Sequence, residues 1–403
     1  MTPQMTDRLY YTDPYSRAFD ATVLGVASVG GRARVRLDRT CFYPTSGGQP
    51  YDTGTLGGPR VVEVLDESDG SISHVVEAGD ALQVGAHVRG VIDWTRRFDH
   101  MQQHTGQHLL SAAFDRLFGV RTVGFHLGAD RSTIDLARET TLTEIAAAEA
   151  EANRIVWENR PVAIRFMTAE EAGRLPLRKE SLREGTLRLI DIEAFDLSAC
   201  GGTHVARTGE VGLVAIGGWE RFKGGQRVEF LCGRRALGRF RSLRDTTDAA
   251  GRILSASTGD LPGAIERLQA ETKTLRRTAG LLQTELAHYR AQHLAAEAEP
   301  TALGRLVLRA VDGDAIGLKA TASAVVARPG YVVVLVSPTT PNLVVVARSQ
   351  GIDMASDHVV SGLTARFGGK GGGKPDLAQA GGLTGGAEAI LDEARRALLG
   401  ARA

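Results

Sequence analysis

Two histidines four residues apart, His104 and His108 in QQHTGQHLLSAAF, are the sharpest chemical signal in the chain. On a helix such positions share one face, so the two imidazoles could converge on one metal ion. With 10 histidines in 403 residues, the pair alone decides nothing. A metalloprotease of the zincin type would need a glutamate directly after the first histidine as general base, and Thr105 stands there. Further on, Cys200-Gly-Gly-Thr-His204 sets a thiol and an imidazole at the same separation, with Gly201 and Gly202 favouring a tight turn over a helix. Facing two imidazoles on a helix, that turn would complete a mixed nitrogen and sulfur site suited to Zn²⁺. Taken singly, Cys200 reads equally as a small buried apolar residue and His204 as a solvated loop residue. Cys41 and Cys232 have no histidine neighbours and read as packing residues.

These residues need elements to hold them. Five β-type runs, 19–29, 32–38, 60–65, 72–76 and 87–93, alternate with Gly and Pro punctuation and predict a small β-barrel over 1–92. The pattern then turns helical over 93–117, which places His104 and His108 on a long helix, and again over 143–159. With interleaved strand-like runs, 93–240 is an α+β block. From Pro262, apolar residues at steps of three and four (Ile265, Leu268, Leu275, Leu282, Leu286, Tyr289) predict a helical spacer or coiled coil over 241–300. It would pair within the chain or form a homodimer, through this spacer or the last domain. An α/β domain over 301–403 completes an α+β multidomain fold class.

Composition narrows the function. Lys+Arg 48 against Asp+Glu 47 gives a net charge of +1, so no global basic field marks a nucleic-acid binder. Three cysteines cannot staple the fold. The longest apolar runs, 331–336 and 343–347, fall far short of the ~20 residues of a membrane helix. The polar N-terminus resembles no signal peptide. A soluble, cytoplasmic protein without a membrane partner is expected.

HTGQHLL followed by CGGTHVARTGEVG resembles the editing domain of alanyl-tRNA synthetases and of free-standing AlaX-type alanyl-tRNA editing proteins. FYPTSGGQPYDTG (42–54) resembles the glycine-rich motif of those relatives, and RFGGKGGGKPDLAQAGG (366–382) the C-terminal domain of the synthetase. In order, these motifs cover nearly the whole chain. The resemblance implies a long-form editing protein in which 93–240 is zinc-dependent, with His104, His108, Cys200 and His204 as ligands. It implies hydrolysis of Ser or Gly from wrongly charged alanine tRNA, and no charging of tRNA. A pocket for alanine cannot exclude glycine and rejects an added hydroxyl weakly, so a second hydrolytic site is needed.

No general base is evident. Gln103, Thr105, His126, Ser132 and Thr133 are the candidates for polar roles near the pocket. Gly47, Gly48, Gln49 and Asp52 form a tight loop that either supports the site or touches substrate. Arg366, Lys370 and Lys374 in the C-terminal glycine-rich stretch are candidate tRNA contacts, where exposed backbone N–H groups could cradle phosphates. The alternative function is a catalytically inactive tRNA-binding module with a structural zinc. A phosphoesterase is disfavoured, because Asp357-His358 is a lone pair of candidate ligands.

Overall fold

The computed structural model describes residues 5–77, 82–178 and 185–400. The chain divides into two compact units, Met1–Ala249 and Ala250–Ala403. The expected segments 1–92 and 93–240 share the first.

The first unit begins with β1 (Asp7–Arg8), β2 (Ala18–Val29), β3 (Arg32–Leu37), β4 (Arg39–Thr40), β5 (Gly54–Leu56), β6 (Arg60–Asp66), β7 (Ile72–Val76) and β8 (His87–Ile92). Along β3 every second residue is buried, Ala33, Val35 and Leu37. These join Val23, Val61, Ile72, Val76 and Val88 in one core. A period of two with one apolar face suits strands wrapped about a shared interior. Six strands close into a barrel in the order β2-β3-β7-β6-β5-β8. Closure removes the free edges.

Helix α1 (Trp94–Phe118) follows at once. Asp93 caps it by accepting from the Arg96 backbone N–H, and Gly119 ends it in the left-handed conformation. Surface helices hide one stripe, whereas α1 is buried at Arg97 and at every residue from His100 to Phe114. Around it lie β9 (Thr122–Leu127), β10 (Ser132–Leu136) and α2 (Leu142–Glu158), which opens on a Thr141/Glu144 capping box. Next come β11 (Val162–Thr168), α3 (Ala169–Ala172), β12 (Thr186–Ile192) and β13 (Asp196–Ala199), then β14 (Val214–Phe222), β15 (Gly225–Cys232) and α4 (Gly233–Leu254). The sheets run β14-β15-β10-β9 and β11-β12-β13. Ile145, Ala148, Ala152 and Ile155 of α2 share a core with Leu109, Leu110 and Phe114 of α1.

A buried polar side chain is costly unless it is bonded. Arg97 is wholly buried; its Nε donates to Asp52 at 3.0 Å, Nη1 to the Pro14 carbonyl at 2.8 Å, and Nη2 to Asp52 and the Cys41 carbonyl. Asp52 also accepts from the Tyr43 backbone N–H at 2.6 Å. One ion pair thus ties the first turns of α1 to the glycine-rich loop.

The second unit holds α5 (Leu261–Ala296), β16 (Glu299–Thr301), β17 (Gly304–Ala310), α6 (Ala315–Val326), β18 (Tyr331–Val336) and β19 (Asn342–Arg348), then α7 (Ser356–Phe367), β20 (Lys370–Lys374), β21 (Leu377–Leu383) and α8 (Ala387–Leu399). Its sheet runs β16-β17-β18-β19-β21-β20. The α6 crossover joins the parallel pair β17 and β18. Residues of α5 and α6 share a core with one sheet face (Val333, Leu335, Val345), and residues of α7 and α8 with the other (Val334, Val346, Ala378). The expected spacer, 241–300, holds the end of α4 and the whole of α5 with a break between Leu254 and Leu261, and the expected seam of α5 is not its packing face. Ala287, Ala291, Leu294 and Ala295 are buried, while Ile265, Leu268, Leu275, Leu282, Leu286 and Tyr289 are exposed. Small alanines allow close approach to α6, so the larger stripe is turned away. The pairing expected within the chain is not made by this stripe among the described residues.

Removing one partner of a buried ion pair leaves a bare charge, at a cost of about 3–5 kcal/mol. Arg97→Met should lower unfolding free energy by about that much, read by denaturant titration, and R97M/D52L should recover part of it.

Candidate metal centre

His104 and His108 sit one turn apart on α1, with ring centroids 5.4 Å apart. The turn after β13 brings Cys200 and His204 to the same place: Cys200 Sγ lies 3.4 Å from His104 Nε2 and 3.3 Å from His204 Nε2. One ligand atom from each of the four residues lies within 4.8 Å of the others. The three histidines are buried and Cys200 is half-buried as a residue.

The far nitrogen of every imidazole is engaged. His104 Nδ1 meets Gln49 Oε1 at 2.8 Å, His108 Nδ1 meets Asp196 Oδ2 at 2.8 Å, and His204 Nδ1 meets Thr105 Oγ1 at 3.2 Å. Metal-binding histidines are usually oriented by such outer partners. With Nδ1 engaged in each ring, Nε2 is left for a shared ion. Asp196 is in turn held by Arg178 at 2.6 Å and Ser198 at 3.0 Å.

Electrostatics differ among the four donors: the shifts at Cys200 and His204 favour the ligating forms, and the shift at His108 favours a proton that a bound ion would displace. Burial alone would raise the Cys200 thiol, yet the imidazoles of His104 and His204 hold it well below its ordinary value. Burial would depress His108, but Asp196 raises it to about 9. Burial and the neighbouring His104 lower His204 to about 3. Thiolate and imidazoles at this spacing could hold a metal ion.

Glycine makes the approach possible. A Cβ on Gly202 would stand 2.1 Å from His104 Cε1, and one on Gly48 (φ +80°) would stand 2.7 Å from Phe125 Cε2. Only glycine fits either place.

Two family models match: tRNA synthetases class II (A) over residues 15–96, and the threonyl and alanyl tRNA synthetase second additional domain over 187–229. The second match includes Cys200 and His204. An alanyl-tRNA editing protein AlaX-L from Pyrococcus horikoshii is 31% identical over 391 residues, covering 93% of this chain and 94% of that protein. The chain belongs to the AlaX-L family of alanyl-tRNA editing proteins. It is also 33% identical over 386 residues to an alanine–tRNA ligase from Pyrococcus abyssi, covering 93% of this chain but 42% of the ligase. The C-Ala domain of Aquifex aeolicus alanyl-tRNA synthetase aligns at 24% identity over 25% of this chain and 93% of that domain, with a TM-score of 0.23, too low to carry a fold assignment.

In this AlaX-L relative, the other candidate residues are dispersed. Gln103 pins β15, accepting from the Cys232 N–H at 2.9 Å and donating to its carbonyl at 3.1 Å. Thr105 braces His204 and accepts from the Val205 N–H. His126 and Thr133 are cross-strand partners on one face of β9 and β10, with His126 exposed. Ser132 occupies the other, inward face; its buried hydroxyl has no partner among the described residues. Phe125 shares that inward face by strand alternation and lies 5.8 Å from the His104 ring. The glycine-rich stretch expected as a phosphate cradle is the exposed edge strand β20, flanked by Lys370 and Lys374. Arg366 lies in the last turn of α7 and pairs with Glu393.

Sequence reasoning missed Asp196 and Arg188. Arg188 donates to the carbonyls of Cys200 at 2.7 Å and Gly202 at 2.9 Å, bracing the turn. A signal existed for Asp196: it stands four residues before Cys200 on a strand leading into the turn. Gly202→Ala should abolish metal uptake, whereas Gly201→Ala meets only ordinary contacts at 3.6 Å and should retain it. Metal content of the purified variants is the measurement.

Proposed function

We propose that this chain hydrolyses the ester joining Ser or Gly to alanine tRNA, using Zn²⁺ held by His104, His108, Cys200 and His204. What carries the reading is the four-residue donor set in a chain that matches AlaX-L over nearly its full length. When bound, a metal ion supplies Lewis-acid polarisation of the ester carbonyl. The chain's own residues keep the donors aimed: Gln49, Asp196 and Thr105 hold the far imidazole nitrogens, and Arg188 holds the turn. Water attacks the carbonyl carbon, the bond from that carbon to the ribose oxygen breaks, the water's hydroxyl remains on the amino acid as its carboxyl group, and its proton goes to the leaving ribose oxygen.

Four protein donors resemble a closed structural site, which is what favours the second reading, a tRNA-binding module without activity. Deacylation of Ser-, Gly- and Ala-charged alanine tRNA, with and without chelator, separates the two. Hydrolysis of the wrong products that stops on chelation is the expected result.

Alanine lies between glycine and serine in size, so size alone cannot exclude it. For serine, we assign the hydroxyl contact to Ser132, whose own hydroxyl is inward and has no partner among the described residues. Losing one buried polar contact costs about 1–3 kcal/mol. Ser132→Ala should therefore reduce the preference for Ser- over Ala-tRNA by about five- to hundred-fold, read from deacylation rates at limiting enzyme.

Lys370 and Lys374 on the exposed glycine strand are proposed as phosphate contacts. Reversing both to Glu should weaken tRNA binding and make the slope of log affinity against log salt shallower by about 2. Binding measured across a salt series tests this.

A further inference from the structure

Gln49 stands on a turn whose backbone is fixed at every point. Ser46 and Gln49 exchange backbone bonds at 3.0 and 3.2 Å, and the Leu127 N–H donates to the Gly48 carbonyl at 3.0 Å. Gly47 (φ +53°) and Gly48 (φ +80°) supply the left-handed residues the turn needs. The Gln49 side chain is wholly buried. Its Oε1 accepts from the Thr203 backbone N–H at 3.1 Å and faces His104 Nδ1 at 2.8 Å, while Nε2 donates to Thr203 Oγ1 at 2.8 Å.

These contacts fix the orientation of the Gln49 amide and the proton at His104 Nδ1. A backbone N–H can only donate, so the amide atom facing Thr203 N is the oxygen. An amide oxygen can only accept, so His104 Nδ1 carries a hydrogen. In the neutral ring the lone pair of His104 is then on Nε2, the nitrogen beside Cys200 Sγ and the one free to bind an ion. Both acceptor positions of Oε1 are used, one on each half of the donor set.

We infer that Gln49 is a positioning residue of the metal centre: it selects the metal-facing nitrogen of His104 and fixes the distance between α1 and the Cys200–His204 turn. Asp196 and Thr105 lie on the same elements as the donors or next to them. Gln49 comes from the barrel's glycine-rich loop, 154 residues before Thr203. Metal affinity is thereby coupled to the docking of that loop, itself clamped by Arg97 and Asp52. The inference rests on the metal reading of the four donors.

Outer partners of this kind typically contribute about 10- to 100-fold in metal affinity. The test uses the full chain, stripped of metal and titrated with Zn²⁺ against a chromophoric chelator, and with Co²⁺ for its visible spectrum. Gln49→Met, which keeps the volume and loses both acceptor bonds, should weaken Zn²⁺ by about 10- to 100-fold and shift the Co²⁺ bands. Gln49→Glu, whose carboxylate still accepts from His104 and Thr203, should bind more tightly than Gln49→Met. A ¹⁵N-detected imidazole spectrum of the unaltered protein should show His104 protonated at Nδ1 and metal-bound through Nε2. Metal on His104 Nδ1, or Q49M with unchanged affinity and Co²⁺ spectrum, overturns the inference while the metal reading stands. An unaltered chain that takes up no metal overturns the metal reading itself. Melting of the metal-free forms checks folding; if Q49M does not fold, Q49E and the imidazole spectrum still decide.

Discussion

A guanidinium and a carboxylate without access to water govern the first unit. Arg97 and Asp52 are both wholly buried, and so close a pair can be kept dry only if every remaining donor and lone pair is met. That demand brings the Pro14 and Cys41 carbonyls and the Tyr43 N–H to one point. The barrel, the glycine-rich loop and the start of α1 therefore have one relative placement. The loop tip then reaches His104, and the helix carries His104 and His108 inward.

The same logic runs along α1. A helix buried on all sides by apolar packing would be a simple core element. Here polar side chains are buried among the apolar ones, and most have a named partner on another element: Gln102 on the Glu210 carbonyl, Gln103 on Cys232, His104 on Gln49, Thr105 on His204, His108 on Asp196. Such a network is stable only when satisfied, and it also fixes rotamers. Rigid imidazoles are what a metal-binding geometry requires. His100, whose Nδ1 has no bonded partner among the described residues, is an exception to the pattern on α1.

The second unit solves a different problem. Its sheet ends in β20, whose central residues Gly371, Gly372 and Gly373 carry no side chains. A Cβ at Gly371 or Gly373 would meet β21 at 2.3 to 2.4 Å, so glycine permits the strands to lie this close. The result is a thin edge with exposed backbone and a lysine at each end. An edge of that kind is open to hydrogen bonding from outside.

The sequence by itself determined the local elements, because period and punctuation are local properties. The strand runs at 32–37 and 72–76, the long helix after Asp93 and the two glycine-spaced motifs were legible from alternation, helical spacing and turn chemistry. The donor types of the candidate metal centre were legible too, since thiol and imidazole stand at matched separations in the two motifs. Three things only the tertiary structure decided. Gln49 and Thr203 are 154 residues apart, and no periodicity announces that their side chains meet. Asp52 read as turn chemistry, and its buried pairing with Arg97 depends on how the barrel seats against α1. The apolar stripe of α5 suggested a seam, yet alanines on another face pack against α6 and leave that stripe exposed. In each case a long-range contact of high sequence separation chose among partners that local spacing left equivalent.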